Sequence, residues 1–205
     1  KMTRPSIVDS LTVKRCVRIS FFCALVIALF VSLEAGILAK TQEETHKSHG
    51  KSAPVPPQFA GMKLPEGILF FDDEGQVHLE PGKLAIYKTD PPTSGPHYHK
   101  WAAPGVYEAG AVQPELLVHN LEHGNIVIYF DRSVLSKVEL DELIALPKKY
   151  ADQWDGVLLV GLKNKEKPII LTAWRTMLTL KKYDKDKILS FLEIFRGRGP
   201  EKAVR

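Results

Sequence analysis

Sulfur is scarce in this chain. Only two of its 205 residues are cysteine and three methionine. Cys16 and Cys23 both fall near the start, so the remainder can form no disulfide. Any metal it binds must be held by nitrogen and oxygen. Met62 and Met177 stand alone, which excludes a methionine-rich copper motif. Excess charge of one sign is lacking too. The net charge is +4, and much of it sits at the two ends: Lys1, Arg4, Lys14, Arg15 and Arg18, then Arg196, Arg198, Lys202 and Arg205. Neither group is interleaved with aromatics, so no nucleic-acid partner is expected. No internal repeat is present. The apolar and charged fractions, 44% and 25%, are those of a globular chain with enough material for one core.

Long apolar runs are almost missing, with one exception. Residues 19–33 (ISFFCALVIALFVSL) carry no charge and follow Lys14, Arg15 and Arg18. The run falls short of the roughly 20 residues that cross a bilayer, and reaches that length when extended to Ala39 with Arg18 snorkelling. The expected organisation is a cytoplasmic basic segment at 1–18 and a transmembrane signal anchor, or a signal peptide, at 19–39. The rest then lies on the outer, periplasmic side of the inner membrane, in a single-pass protein. The anchor is preferred, because the apolar run is long for a signal peptide and neither Ala35 nor Ala39 completes a clean A-x-A site. Cys23 follows no lipobox. Residues 40–61 are polar and then proline-rich, and are expected to form a flexible tether in which His46 and His49 are solvated.

Residues 62–201 are expected to fold as an extracytoplasmic α+β domain, a mixed or antiparallel sheet covered by a few helices, with 202–205 a tail. Stretches 68–71, 76–79 and 84–87 read as short antiparallel strands separated by turns. Stretch 90–104 is a proline-locked loop. Pro114 and Gly124 bracket PELLVHNLEH as a helix, and NIVIYF (125–130) is the strongest strand, expected at the sheet centre. A helix over 133–146 should turn Val134, Val138, Leu143 and Ile144 inward and end at Pro147. Strands follow at 157–162 and 168–174. A last helix, capped by Asp184, should bury Ile188, Leu189, Leu192 and Phe195.

Four of the seven histidines lie between residues 89 and 131. His97 and His99 sit on the stiff loop; His119 and His123 lie one helical turn apart, beside Glu122. On the helical wheel these two face away from Leu117, Val118 and Leu121, towards either water or the loop. Two such imidazoles can share a zinc ion, and H-x-x-E-H is also the inverted zinc-peptidase pattern, with Glu122 as general base. That peptidase reading needs a distant glutamate as third ligand, and Glu193 is the one at comparable remove. A binding site is easier to assemble: His119 and His123 with His97 or His99, and His78 as a further nitrogen, a set suited to copper or zinc. Glu122 would then stand behind the ligands as an acceptor orienting an imidazole. The competing reading has the histidines bonding loop carbonyls and fastening the loop to the helix. For His78, alternation along its strand leaves a place on a polar sheet face as the plain alternative.

PPTSGPHY (91–98), GVY (105–107), LVHNLEHG (117–124), LTAW (171–174) and FRGRGPE (195–201) together resemble the bacterial domain of unknown function 3105 family. Its members are often anchored by one N-terminal transmembrane helix. The resemblance implies that His78, His97, His119, Glu122 and His123 occupy positions where the family carries the same residues. His99 departs, since a proline usually follows GPHY, and is the weakest candidate ligand. The family name implies no activity. Three functions therefore remain: a membrane-anchored metal-binding domain in metal handling or an envelope redox complex, a metal-free accessory subunit of a membrane complex, and a zinc-dependent hydrolase.

Overall fold

The chain was analysed as a computed structural model, which describes residues 52–205. The basic segment, the apolar run, both cysteines, His46 and His49 lie outside the described residues. Among the described residues no helix is long and apolar enough to cross a membrane.

The run NIVIYF organises the domain. Its strand β5 (Ile126–Phe130) is buried at every position, as expected for a strand covered on both faces. It pairs in parallel with β6 (Val157–Gly161) and antiparallel with β7 (Ile169–Ala173). Beyond β6 lies β4 (Val106–Tyr107), parallel to it. Beyond β7 lie β8 (Thr176–Leu180) and then β1 (Ile68–Phe70), both antiparallel. The sheet order is thus β1-β8-β7-β5-β6-β4, a mixed sheet in an α+β fold.

Alternation along β5 divides the interior. Ile126, Ile128 and Phe130 face a core closed by α2 (Lys137–Lys149) and α3 (Lys185–Phe195), through Leu143, Leu146, Ile188, Phe191, Leu192 and Phe195. Val127 and Tyr129 face the other side, where Leu117 and Leu121 of α1 (Pro114–His123) cover them. The α1 helix begins at Pro114 and stops at Gly124, whose φ of 98° is left-handed and favours glycine.

Several expectations fail at element edges. The 84–87 stretch forms no strand, and its Leu84 and Ile86 are 78% and 95% exposed. Nor do 68–71 and 76–79 pair with each other. β1 joins the large sheet, whereas β2 (His78–Leu79) pairs in parallel with β3 (His97–Tyr98) inside the proline-rich loop. A capping box of Ser136 and Glu139 starts α2 later than expected, so Val134, Val138 and Ile144 are exposed, and Leu143, Leu146 and Pro147 are buried. Pro147 sits within the last turn, where its missing N–H costs one bond and the helix runs two residues further. In α3, Leu189 points outward and Phe191 inward. β8 was not legible: its turn is Trp174–Arg175, without glycine or asparagine, and Arg175 takes a φ of 58°.

The packed chain extends past both expected limits. Phe59 lies in the 40–61 stretch, yet is buried against Phe70 and Phe195, with ring centroids 5.9 and 4.8 Å away. At the other end, Val204 N–H donates to the Gly197 carbonyl and the Lys202 ammonium lies over Trp154.

Ser136→Ala should lower domain stability by about 1 kcal/mol, because the Glu139 N–H loses its acceptor. Thermal unfolding would show this as a Tm drop of about 2–4 °C. An unchanged Tm would mean that the cap is energetically idle.

Candidate metal centre

The site forms where the β2–β3 pair meets α1. The register places His78 directly beside His97, and the His97 N–H donates to the Val77 carbonyl at 2.9 Å. Asn120 clamps the loop to the helix from below: its Oδ1 accepts from Ala102 N at 2.9 Å and its Nδ2 donates to Ala102 O at 2.8 Å. The face of α1 opposite Leu117 and Leu121 is therefore sealed by the loop, and His119, Glu122 and His123 are all buried.

Each of the three buried imidazoles uses its two nitrogens differently. Nδ1 of His97 lies 2.8 Å from Gly95 O, Nδ1 of His119 lies 2.5 Å from Tyr98 O, and Nδ1 of His123 lies 3.2 Å from Gln153 O. A carbonyl oxygen only accepts, so every Nδ1 carries the hydrogen. Every Nε2 then faces another side chain of the cluster. His119 Nε2 and His123 Nε2 are 2.9 Å apart. His97 Nε2 is 2.9 Å from Glu122 Oε2, and His123 Nε2 is 3.1 Å from Glu201 Oε2. Nδ1 thus fastens each ring to the backbone of another segment, and Nε2 is left facing the cluster, where it could hold a metal.

Burial sets the protonation. It pushes His119 down to about 4, assisted by positive charge on His123 and His97 and opposed by the Tyr98 carbonyl. Burial likewise lowers His97, against the pull of the Gly95 carbonyl, and raises Glu122, with the Glu201 carboxylate adding to the rise. His78 is lowered by partial desolvation and by its neighbours His97 and His99. Although His97 and Glu122 have ion-pair geometry, burial acts against the charged form of each. Neutral imidazoles are the form that binds metal.

The ligand atoms sort into two groups, each within 4.8 Å: His78, His97, His119 and Glu122; and His119, His123 and Glu201. The expected ligands His97, His119 and His123 are divided between these groups, with only His119 belonging to both. Glu122 lies among the candidate ligands rather than behind them. His78, though exposed, faces the cluster from the strand beside His97, with ring centroids 4.9 Å from His97 and 5.5 Å from His119. His99 joins neither group; it is exposed and stacks on His78 at 4.1 Å. Glu193 is also elsewhere, exposed and paired with Arg205 at 3.0 Å.

The chain matches the family described as Protein of unknown function (DUF3105) over residues 78–205. It belongs to that family. No curated protein and no solved structure matches it. The DUF3105 description carries no activity, so function must be argued from the site.

Two features of this DUF3105 domain escaped sequence reasoning. Glu201 reaches His123 because the 197–201 segment runs along the end of α1. Gly197 N–H donates to Gly124 O, and Glu201 N–H donates to Glu122 O. The FRGRGPE motif contained this residue, but nothing local marks it as a ligand. The second is an aromatic wall. Trp154 lies 4.4 Å from the His123 ring, Trp101 lies 4.7 Å from His123 and 5.4 Å from His119, and Trp174 meets His97 edge-on at 6.4 Å. These are all three tryptophans of the chain, so its indole fluorescence reports on the cluster.

Proposed function

We propose that this domain binds one transition-metal ion, copper or zinc, through His78, His97, His119 and Glu122. The observation that carries the reading is the convergence of the His78, His97, His119 and Glu122 ligand atoms within 4.8 Å of one another, with Nδ1 of His97 and of His119 each held by a backbone carbonyl. Three nitrogens and one oxygen complete a four-coordinate shell without sulfur, which suits zinc or copper(II). Within this set His97 Nε2 and Glu122 Oε2 are 2.9 Å apart and all four ligand atoms lie within 4.8 Å of one another, whereas bonds of about 2.05 Å to a tetrahedral ion put ligand atoms about 3.3 Å apart, so the farther ones close in by up to about 1.5 Å. The basic and apolar run before residue 40 supports the further reading of an inner-membrane anchor with this domain in the periplasm. There a bound metal would serve metal handling or an envelope redox complex.

Metal titration of the purified full-length chain tests the reading. At a free metal concentration about 100-fold above Kd, stability should rise by about 2.7 kcal/mol. For a domain of this size that is a Tm increase of about 5–11 °C, reversed by chelation. Tryptophan fluorescence should change in step, since the indoles line the site. A chain whose Tm and fluorescence ignore copper and zinc alike would instead be a metal-free accessory subunit.

A second reading has one observation in its favour. His119, His123 and Glu201 form a two-histidine, one-carboxylate set with an open position, the shell of a hydrolytic zinc. Against it, Glu122, the only candidate base, is engaged by His97.

A further inference from the structure

Two ligand groups joined by a single residue pose a physical problem. His119 can give only Nε2 to a metal, because Nδ1 is held by the Tyr98 carbonyl at 2.5 Å. One lone pair serves one ion, so the two groups cannot be filled together through His119. Without His119, the second group keeps only His123 and Glu201, too few ligands for a stable site.

The groups also differ in kind. His78, His97, His119 and Glu122 offer four donors, three of them buried. His119, His123 and Glu201 offer three, and each group has one exposed member, His78 in the first and Glu201 in the second. A three-donor position leaves room for water or for a ligand still carried by an incoming ion. Its ligand atoms already converge: the Nε2 atoms of His119 and His123 are 2.9 Å apart, and Glu201 Oε2 lies 3.1 Å from His123 Nε2.

Resting on the metal-binding reading above, we propose that His119, His123 and Glu201 form a receiving position of fewer donors. The ion is taken up there and passed to the four-donor set of His78, His97, His119 and Glu122 while its bond to His119 persists. The transfer is a ligand exchange without redox change. His123, Glu201 and the water or carried ligand leave as His97, Glu122 and His78 arrive. Keeping one bond throughout avoids releasing a bare ion inside a buried site, which gives the shared ligand its purpose. The ligand class is a free or weakly chelated divalent cation.

The test uses cobalt(II) as the probe on the purified full-length chain, read by its d–d absorption and by stopped-flow tryptophan fluorescence. The wild type should saturate at one ion per chain with a four-coordinate spectrum. Glu201→Gln, and separately His123→Ala, should slow uptake and release alike by at least about tenfold, so that rates change far more than affinity. His97→Ala should do the reverse: uptake stays fast, affinity falls, and the spectrum shifts to that of the open position. Glu201 is half-exposed, so its glutamine variant keeps the domain folded even if His123→Ala does not. Two ions per chain, or an uptake rate indifferent to Glu201→Gln, would overturn the proposal and leave the metal site standing. A wild-type chain that takes no cobalt, copper or zinc would remove the metal reading itself.

Discussion

His119→Ala is expected to weaken copper and zinc binding by at least about 100-fold, more than the 10–100-fold that removal of an orienting partner usually costs. No other residue belongs to both ligand groups, so none of the remaining side chains can compensate. Metal analysis and competition with a chelator would measure the loss. His99→Ala supplies the control, because His99 stacks on His78 from outside and offers no ligand to either group. Thermal unfolding of the metal-free forms should show the variant still folded, since Asn120 continues to hold the loop against α1. If His119→Ala retained wild-type metal content, the cluster would be a hydrogen-bonded fastening of loop to helix and nothing more.

Gly199→Ala should have a large structural effect for a change of one methyl group. A Cβ at this position would fall on the Glu122 carbonyl oxygen and the Gly124 nitrogen, and 2.6 Å from the His123 carbonyl carbon. All are backbone atoms of the α1 terminus, so no side chain can rotate away. Overpacking of this kind costs about 1–3 kcal/mol, and a clash of backbone with backbone belongs at the upper end, about 3 kcal/mol. Relief would come from the 197–201 segment lifting off the helix, which carries Glu201 away from His123. The expected signature is a Tm drop of about 6–12 °C together with altered tryptophan fluorescence, since Trp154 rests on His123. A variant with an unshifted Tm would mean that the segment is not pressed against α1, and that the Glu201 contact is incidental.

Both predictions concern α1, where sequence and structure agree best. Pro114 and Gly124 bounded it correctly, and the opposition of His119 and His123 to Leu117 and Leu121 was visible from their spacing. The choice between water and loop for the histidine face was not visible. Helical periodicity says which residues share a side, not what covers it. It was decided by Asn120 and the β2–β3 pairing, contacts between segments distant in the chain. The same limit explains β2 and β3. Two-residue strands have no periodicity to read, and their parallel pairing depends on how a proline-rich loop is drawn across the helix.

What the sequence determined by itself was local: the ligand chemistry, restricted to nitrogen and oxygen by the placement of two cysteines, the helix with its paired histidines, the central strand, and the family. Tertiary structure alone decided the grouping of the candidate ligands, setting His97 and His123 apart, moving Glu122 in among them and bringing in Glu201. The reason is physical. Residue type and short-range spacing are properties of the chain, whereas the meeting of lone pairs at about 3 Å depends on long-range backbone approach, here that of Gly199 to the end of α1.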